Sequence, residues 1–138
     1  MLFPHDTKVD ALGGAPLFSG LSRHELSELA KATEDLEVAE GKELTHEGDL
    51  GREFFVIVEG EVSVAKGGEE VRRLGPGDFF GEIALVYEPA RRTATVTAAT
   101  PLRFFVLTRQ SFRRLLEHQP QIEEKVMAAL EERLGATS

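Results

Sequence analysis

The chain has 138 residues, enough for one hydrophobic core, and its 41% hydrophobic and 29% charged residues are those of a globular domain. Acids outnumber bases 24 to 16, a net charge of −8 whose field repels the phosphate backbone of DNA or RNA. The lack of cysteine excludes disulfides, thiolate metal sites and cysteine catalysis, and no apolar stretch approaches the roughly 18 residues of a membrane span.

The first residues, Met1-Leu2-Phe3-Pro4-His5-Asp6, have neither the basic nor the long apolar region of a signal peptide, so the expected location is cytoplasmic. Residues 1–14, closing on Gly13-Gly14 before Ala15-Pro16, read as a loosely ordered arm, and 15–138 as a single domain. Ser22 and Glu25 form a capping box flanked by Leu21 and Leu26, and Leu26, Leu29 and Ala30 follow at helical spacing. A helix from about Arg23 to Thr33 is predicted.

From Leu36 to Leu107 the texture changes to short β-rich runs punctuated by glycine. Glu53–Val58 is almost continuously apolar, as a strand buried on both faces must be. Val62 and Val64 alternate with smaller residues, Gly67-Gly68 reads as a hairpin turn, and Gly75-Pro76-Gly77-Asp78 as a second turn. Thr93–Ala98 alternates strictly, with Ala94, Val96 and Ala98 on one face, and Leu102–Leu107 is the last strand. Many short strands with turns at this spacing indicate a sandwich or barrel. Helical texture then returns. Thr108 caps a helix that buries Phe112, Leu115 and Leu116. Pro120 opens the next, whose stripe is Ile122, Val126, Met127, Leu130 and Leu134, and Gly135 is expected to end it.

Chemistry concentrates in Phe79–Val96. Gly81 lets the backbone approach a ligand, and a short helical turn from Glu82 aims unpaired N–H groups, that of Ala84 among them, at an anion. Arg92 follows ten residues after Glu82. Strand parity puts it on the apolar side with Ala94 and Val96, where a guanidinium needs an anionic partner, and turns Arg91 and Thr93 outward. Glu82 in the same loop can accept hydrogen bonds from two sugar hydroxyls.

Gly81-Glu82-Ile83-Ala84-Leu85 followed by Arg91-Arg92-Thr93-Ala94-Thr95-Val96 resembles the phosphate-binding cassette of cyclic-nucleotide-binding domains. The likeness runs over about residues 15–134, taking in Pro16–Ser22, Glu47-Gly48-Asp49, Val58–Val62 and Gly75–Asp78. It implies a mainly β fold with flanking helices: a double-stranded β-helix, or jelly-roll-like β-roll, with one N-terminal and two C-terminal helices. It implies that Arg92, Thr93 and the Ala84 amide hold the phosphate of a 3′,5′-cyclic nucleotide, and Gly81 with Glu82 the ribose. It further implies that Val71, Leu74, Met127 and Leu130 meet the base, with the last helix as a lid. Thr93 matches a position that also contacts the guanine amino group in cGMP-binding relatives. cAMP stands ahead of cGMP as the expected ligand. One departure is Glu88-Pro89-Ala90, which puts an acid in the loop before the arginines and weakens anion attraction slightly.

The expected role is a regulatory sensor rather than an enzyme, with no cofactor beyond the nucleotide, an unidentified effector protein, and no nucleic acid or membrane partner. His5, His24, His46 and His118 are scattered without metal-ligand spacing, against a cupin-like metalloenzyme. Only Gly135–Ser138 follow the last stripe, too few for a helix-turn-helix. The competing readings are a buried Glu82–Arg92 salt bridge, a cassette whose pocket is closed, and a nucleotide-free interaction module of the same fold.

Overall fold

A computed structural model describes residues 5–85 and 91–137. Helix α1 (His5–Gly13), a 3-10 turn at Pro16–Phe18 and helix α2 (Arg23–Lys31) precede the strands. Strands β1 (Glu34–Val38), β2 (Glu43–Thr45), β3 (Glu53–Glu59), β4 (Val62–Lys66), β5 (Glu69–Leu74) and β6 (Phe79–Phe80) lead into a 3-10 turn at Glu82–Leu85. Strands β7 (Thr95–Ala98) and β8 (Leu102–Thr108) then give way to α3 (Arg109–His118) and α4 (Pro120–Thr137). The strands form two antiparallel four-stranded sheets, ordered β1-β8-β3-β6 and β2-β7-β4-β5, the β-roll that the sequence predicts.

β3 and β8 pair with Phe54 opposite Leu107, Phe55 opposite Val106, Val56 opposite Phe105 and Ile57 opposite Phe104. Because successive side chains of a strand point to opposite faces, this one pair feeds two cores. Phe54, Val56, Phe105 and Leu107 join the helices, while Phe55, Ile57, Phe104 and Val106 close the roll with Val62, Val64, Ala94 and Val96. That is why both strands are apolar without alternation. Between β4 and β5, Gly67 (φ 60°) and Gly68 (φ 83°) are both left-handed, the pair of angles a two-residue hairpin of this twist requires.

The expected loose arm is otherwise: over His5–Gly13 the chain is a helix, with Val9 and Leu12 buried in the helical core. Its apolar residues are too few to announce themselves by periodicity, but they fall where α2 and the Pro16–Phe18 turn offer a surface. Lys8 fastens it by an ion pair to Asp35 at 3.2 Å. The Ser22–Glu25 capping box is present, although α2 stops at Lys31 rather than Thr33. Thr108 caps α3 through the Ser111 N–H. α4 runs through Gly135 to Thr137 instead of stopping there.

Candidate ligand-binding cleft

Arg92 is held by backbone on both sides. Its N–H donates to Asp49 O at 2.8 Å and its carbonyl accepts from Gly48 N–H at 2.9 Å. The half-buried guanidinium donates from Nη2 to Glu53 O at 3.0 Å and lies 5.7 Å from the centroid of Phe55. Phe55 in turn stacks on Phe80 at 4.6 Å. Two glycines make the slot. A Cβ on Gly51 would overlap the Arg92 side chain, and one on Gly81 would stand 2.6 Å from Glu53 O and 2.7 Å from Arg92 Nη1. Gly81 also takes φ 84°, a left-handed conformation that carries β6 into the Glu82–Leu85 turn. Burial draws the Arg92 pKa below the usual arginine value, and the nearby Glu53 carboxylate partly opposes this. A guanidinium has five donor hydrogens, and among the described residues one hydrogen bond engages them, so the group is set to receive an anion.

The slot opens on a cleft of about 690 Å³. The structure brings six of the residues named from the sequence, Gly81, Glu82, Ala84, Arg92, Thr93 and Leu74, together on its walls. Lys66, Arg72, Arg91 and Arg92 face it against Asp78 and Glu82, so a chain of net negative charge carries a locally positive cleft. Residues 86–90, which include Glu88-Pro89-Ala90, lie outside the described residues.

Three details correct the sequence reading. Thr93 and Arg91 line the cleft beside Arg92, because the chain bends at Thr93 and Ala94 and strand parity starts only at Thr95. The Ala84 N–H is not unpaired: it donates to Gly81 O at 3.2 Å, closing the 3-10 turn. Val71, Met127 and Leu130 do not line the cleft. Val71 is the extra residue of a β-bulge, since Arg72 pairs with Val64 while Glu70 pairs with Ala65, and its side chain is 54% exposed. Leu130, with Ile122 and Val126, is buried in the helical core, where α4 packs on the Pro16–Phe18 turn and α3. Lys125 ties α4 to Glu25 of α2 at 2.6 Å, so the stripe expected to cover a ligand covers the helical layer instead.

The sequence reading also passed over Gly51, Phe55 and Arg72. The signal for Arg72 was available, because a residue two before Leu74 shares its face whereas Val71, three before, does not.

A closed antiparallel roll that presents one inward arginine between glycines to a positive cleft is a receptor for a small anionic ligand. The profile of the cyclic nucleotide-binding domain matches residues 35–119, more than half of the chain, and the chain belongs to that family. It is 41% identical over 108 residues to the cAMP-dependent protein kinase regulatory subunit of Eremothecium gossypii, covering 78% of this chain and 23% of that protein. It is likewise 41% identical over 85 residues to the cGMP-dependent protein kinase of Eimeria tenella, covering 62% of this chain and 8% of that one. The chain therefore spans a quarter or less of these relatives' length. Among solved structures, the N-terminal domain of a transcriptional regulator from Streptomyces coelicolor A3(2) matches with a TM-score of 0.85 and 30% identity, over 93% of this chain and 92% of that one. The chain is thus a cyclic nucleotide-binding domain, with relatives among both cAMP-dependent and cGMP-dependent kinase proteins. Among the described residues no helix is long and apolar enough to cross a membrane, and no cluster of three acidic or histidine side chains is placed to hold a metal.

Proposed function

We propose that this domain is a non-catalytic cytoplasmic sensor that holds the cyclic phosphate on Arg92 and Thr93, with Ala84 at the edge of that subsite. Gly81 and Glu82 take the ribose, and the base lies toward Leu74 and Arg72 on the β4–β5 wall. The observation that carries this reading is the Arg92 slot, where glycines at 51 and 81 leave the room that the guanidinium fills. Output passes to a separate effector protein, and nucleic acid is not a ligand.

The β4–β5 wall turns the choice of base toward guanine. Arg72 lines the cleft and makes no hydrogen bond or ion pair among the described residues. It offers donors only, and guanine presents the acceptors O6 and N7 side by side, whereas adenine puts a donor, N6, beside N7. Thr93, also on the cleft wall, adds a hydroxyl that either edge of guanine can use. Calorimetric titration with cGMP and cAMP tests this. cGMP is expected to bind more tightly, and Arg72→Ala to lower its affinity about thirtyfold, the middle of the range for one bidentate base contact. Tighter binding of cAMP would overturn the guanine preference. No heat with either nucleotide would favour the interaction-module reading instead.

A further inference from the structure

Glu53 opens β3 and Arg52 immediately precedes it, and their carbonyls point in opposite directions across the chain. Glu53 O faces the cleft and accepts from Arg92, whereas Arg52 O faces α3 and accepts from the Arg109 N–H at 2.7 Å. On that second side lies an open groove of about 680 Å³. Arg52, Arg109, Arg113 and Arg114 line it against two acids, Glu53 and Glu117. Arg109 and Arg113 stand one turn apart on the same helical face, and Arg52 and Arg114 form no ion pair among the described residues.

We propose that this groove docks an acidic peptide segment of a partner protein. Four guanidiniums set along an extended trough match a run of carboxylates, each of which a guanidinium can grip with two parallel hydrogen bonds. A long polyanion such as duplex DNA is disfavoured by the net charge of −8 on the chain around it, while a short peptide meets mainly the local positive field. The groove is also wired to the cassette. Arg109 Nη1 donates to the carbonyl of Ala84 at 3.2 Å, so one arginine braces the cassette from behind and lines the groove in front. A peptide carboxylate that draws Arg109 forward loosens that brace, and nucleotide and peptide therefore oppose one another, each to the same factor. The coupling rests on the nucleotide reading above; the docking does not.

Fluorescence anisotropy of a labelled oligoglutamate peptide, titrated with the whole chain, tests both. The native chain is expected to bind it in a salt-sensitive manner, and the double substitution Arg113→Glu, Arg114→Glu to lose about tenfold or more in affinity. Its cyclic-nucleotide affinity should be retained. Both positions are exposed, and a thermal melt reports folding; if the double variant melts early, Arg114→Glu alone serves. Saturating nucleotide should weaken the peptide. Equal peptide binding by native and variant chains overturns the docking site, as does stronger binding of a duplex oligonucleotide. Self-association that the variant abolishes would assign the groove to a second copy of the chain and overturn it too. Peptide affinity untouched by bound nucleotide overturns the coupling, and failure of nucleotide to bind at all sinks the cleft reading while the peptide titration still reports on the groove.

Discussion

The two faces of the β3–β8 pair are built alike and finished differently. Toward the helices, Phe54, Val56, Phe105 and Leu107 meet a layer in which the buried carboxylates Asp35 and Glu25 are matched by Lys8 and Lys125. Toward the roll, Phe55 lies under an arginine, and the cations Lys66 and Arg72 face the cleft with no carboxylate paired to them among the described residues. Matched buried charge on one face holds the fold, and unmatched positive charge in the cleft on the other awaits an anion. Stability and nucleotide binding are thereby assigned to opposite sides of the same two strands.

The division should break most visibly at Phe105, which is 1% exposed on the helical face. Phe105→Ala is expected to cost about 3–5 kcal/mol in urea unfolding and to leave the nucleotide affinity of the folded protein within about twofold. A loss of affinity as large as the loss of stability would show that the faces are not separable. Arg92→Ala should do the reverse. Affinity should fall about thirtyfold or more by calorimetry, while the melting temperature of the ligand-free protein holds or rises, since a partly desolvated guanidinium is removed. Arg91 is exposed and hydrogen-bonded to Gly48 O, so Arg91→Ala should change affinity by about threefold at most.

The smallest effect concerns the latch between α2 and α4. The Glu25 carboxyl is held below its ordinary value of 4.5, first by the Lys125 hydrogen bond and then by the Ser22 N–H. A carboxylate whose pKa is depressed by folding stabilises the native state above its unfolded pKa, and that contribution fades as pH falls through the folded one. Glu25→Gln is therefore expected to lower stability by about 1 kcal/mol or less at neutral pH, given the solvent-exposed lysine. The gap to the native protein should close as pH drops below the usual carboxylate range. Thermal melts of the two proteins across pH check the sign: a gap that widens in acid would place the latch elsewhere.

Much of this division was legible in the sequence because it follows from periods and caps. The apolar runs at 53–58 and 102–107, the Ser22 box and the Gly67-Gly68 turn each specify a local geometry that tertiary packing had no reason to override. Gly81, Glu82 and Arg92 were legible for the same reason, as a turn between strands. Two things were not. Periodicity shows that Ile122, Val126 and Leu130 share a face, but not which surface that face meets. The answer was the helical layer to which α1 contributes, through residues too sparsely apolar to read as a helix. Parity also fails wherever a strand is irregular. The bend at Thr93–Ala94 brings Thr93 inward against parity, whereas Arg72 shares the face of Leu74 by parity alone and displaces Val71.

The glycine at position 51 bears on how degenerate homologues are to be recognised in genomes. It lies forty-one positions before Arg92, outside the 79–96 cassette, and it serves a ligand only by leaving the guanidinium somewhere to lie. A homologue that keeps Gly81, Glu82 and Arg92 but places a valine or leucine at 51 would carry the whole cassette and yet have no seat for its arginine. Surveys for orphaned or repurposed rolls should sort first on that position, where the loss of a vacancy disables the domain as surely as the loss of a side chain.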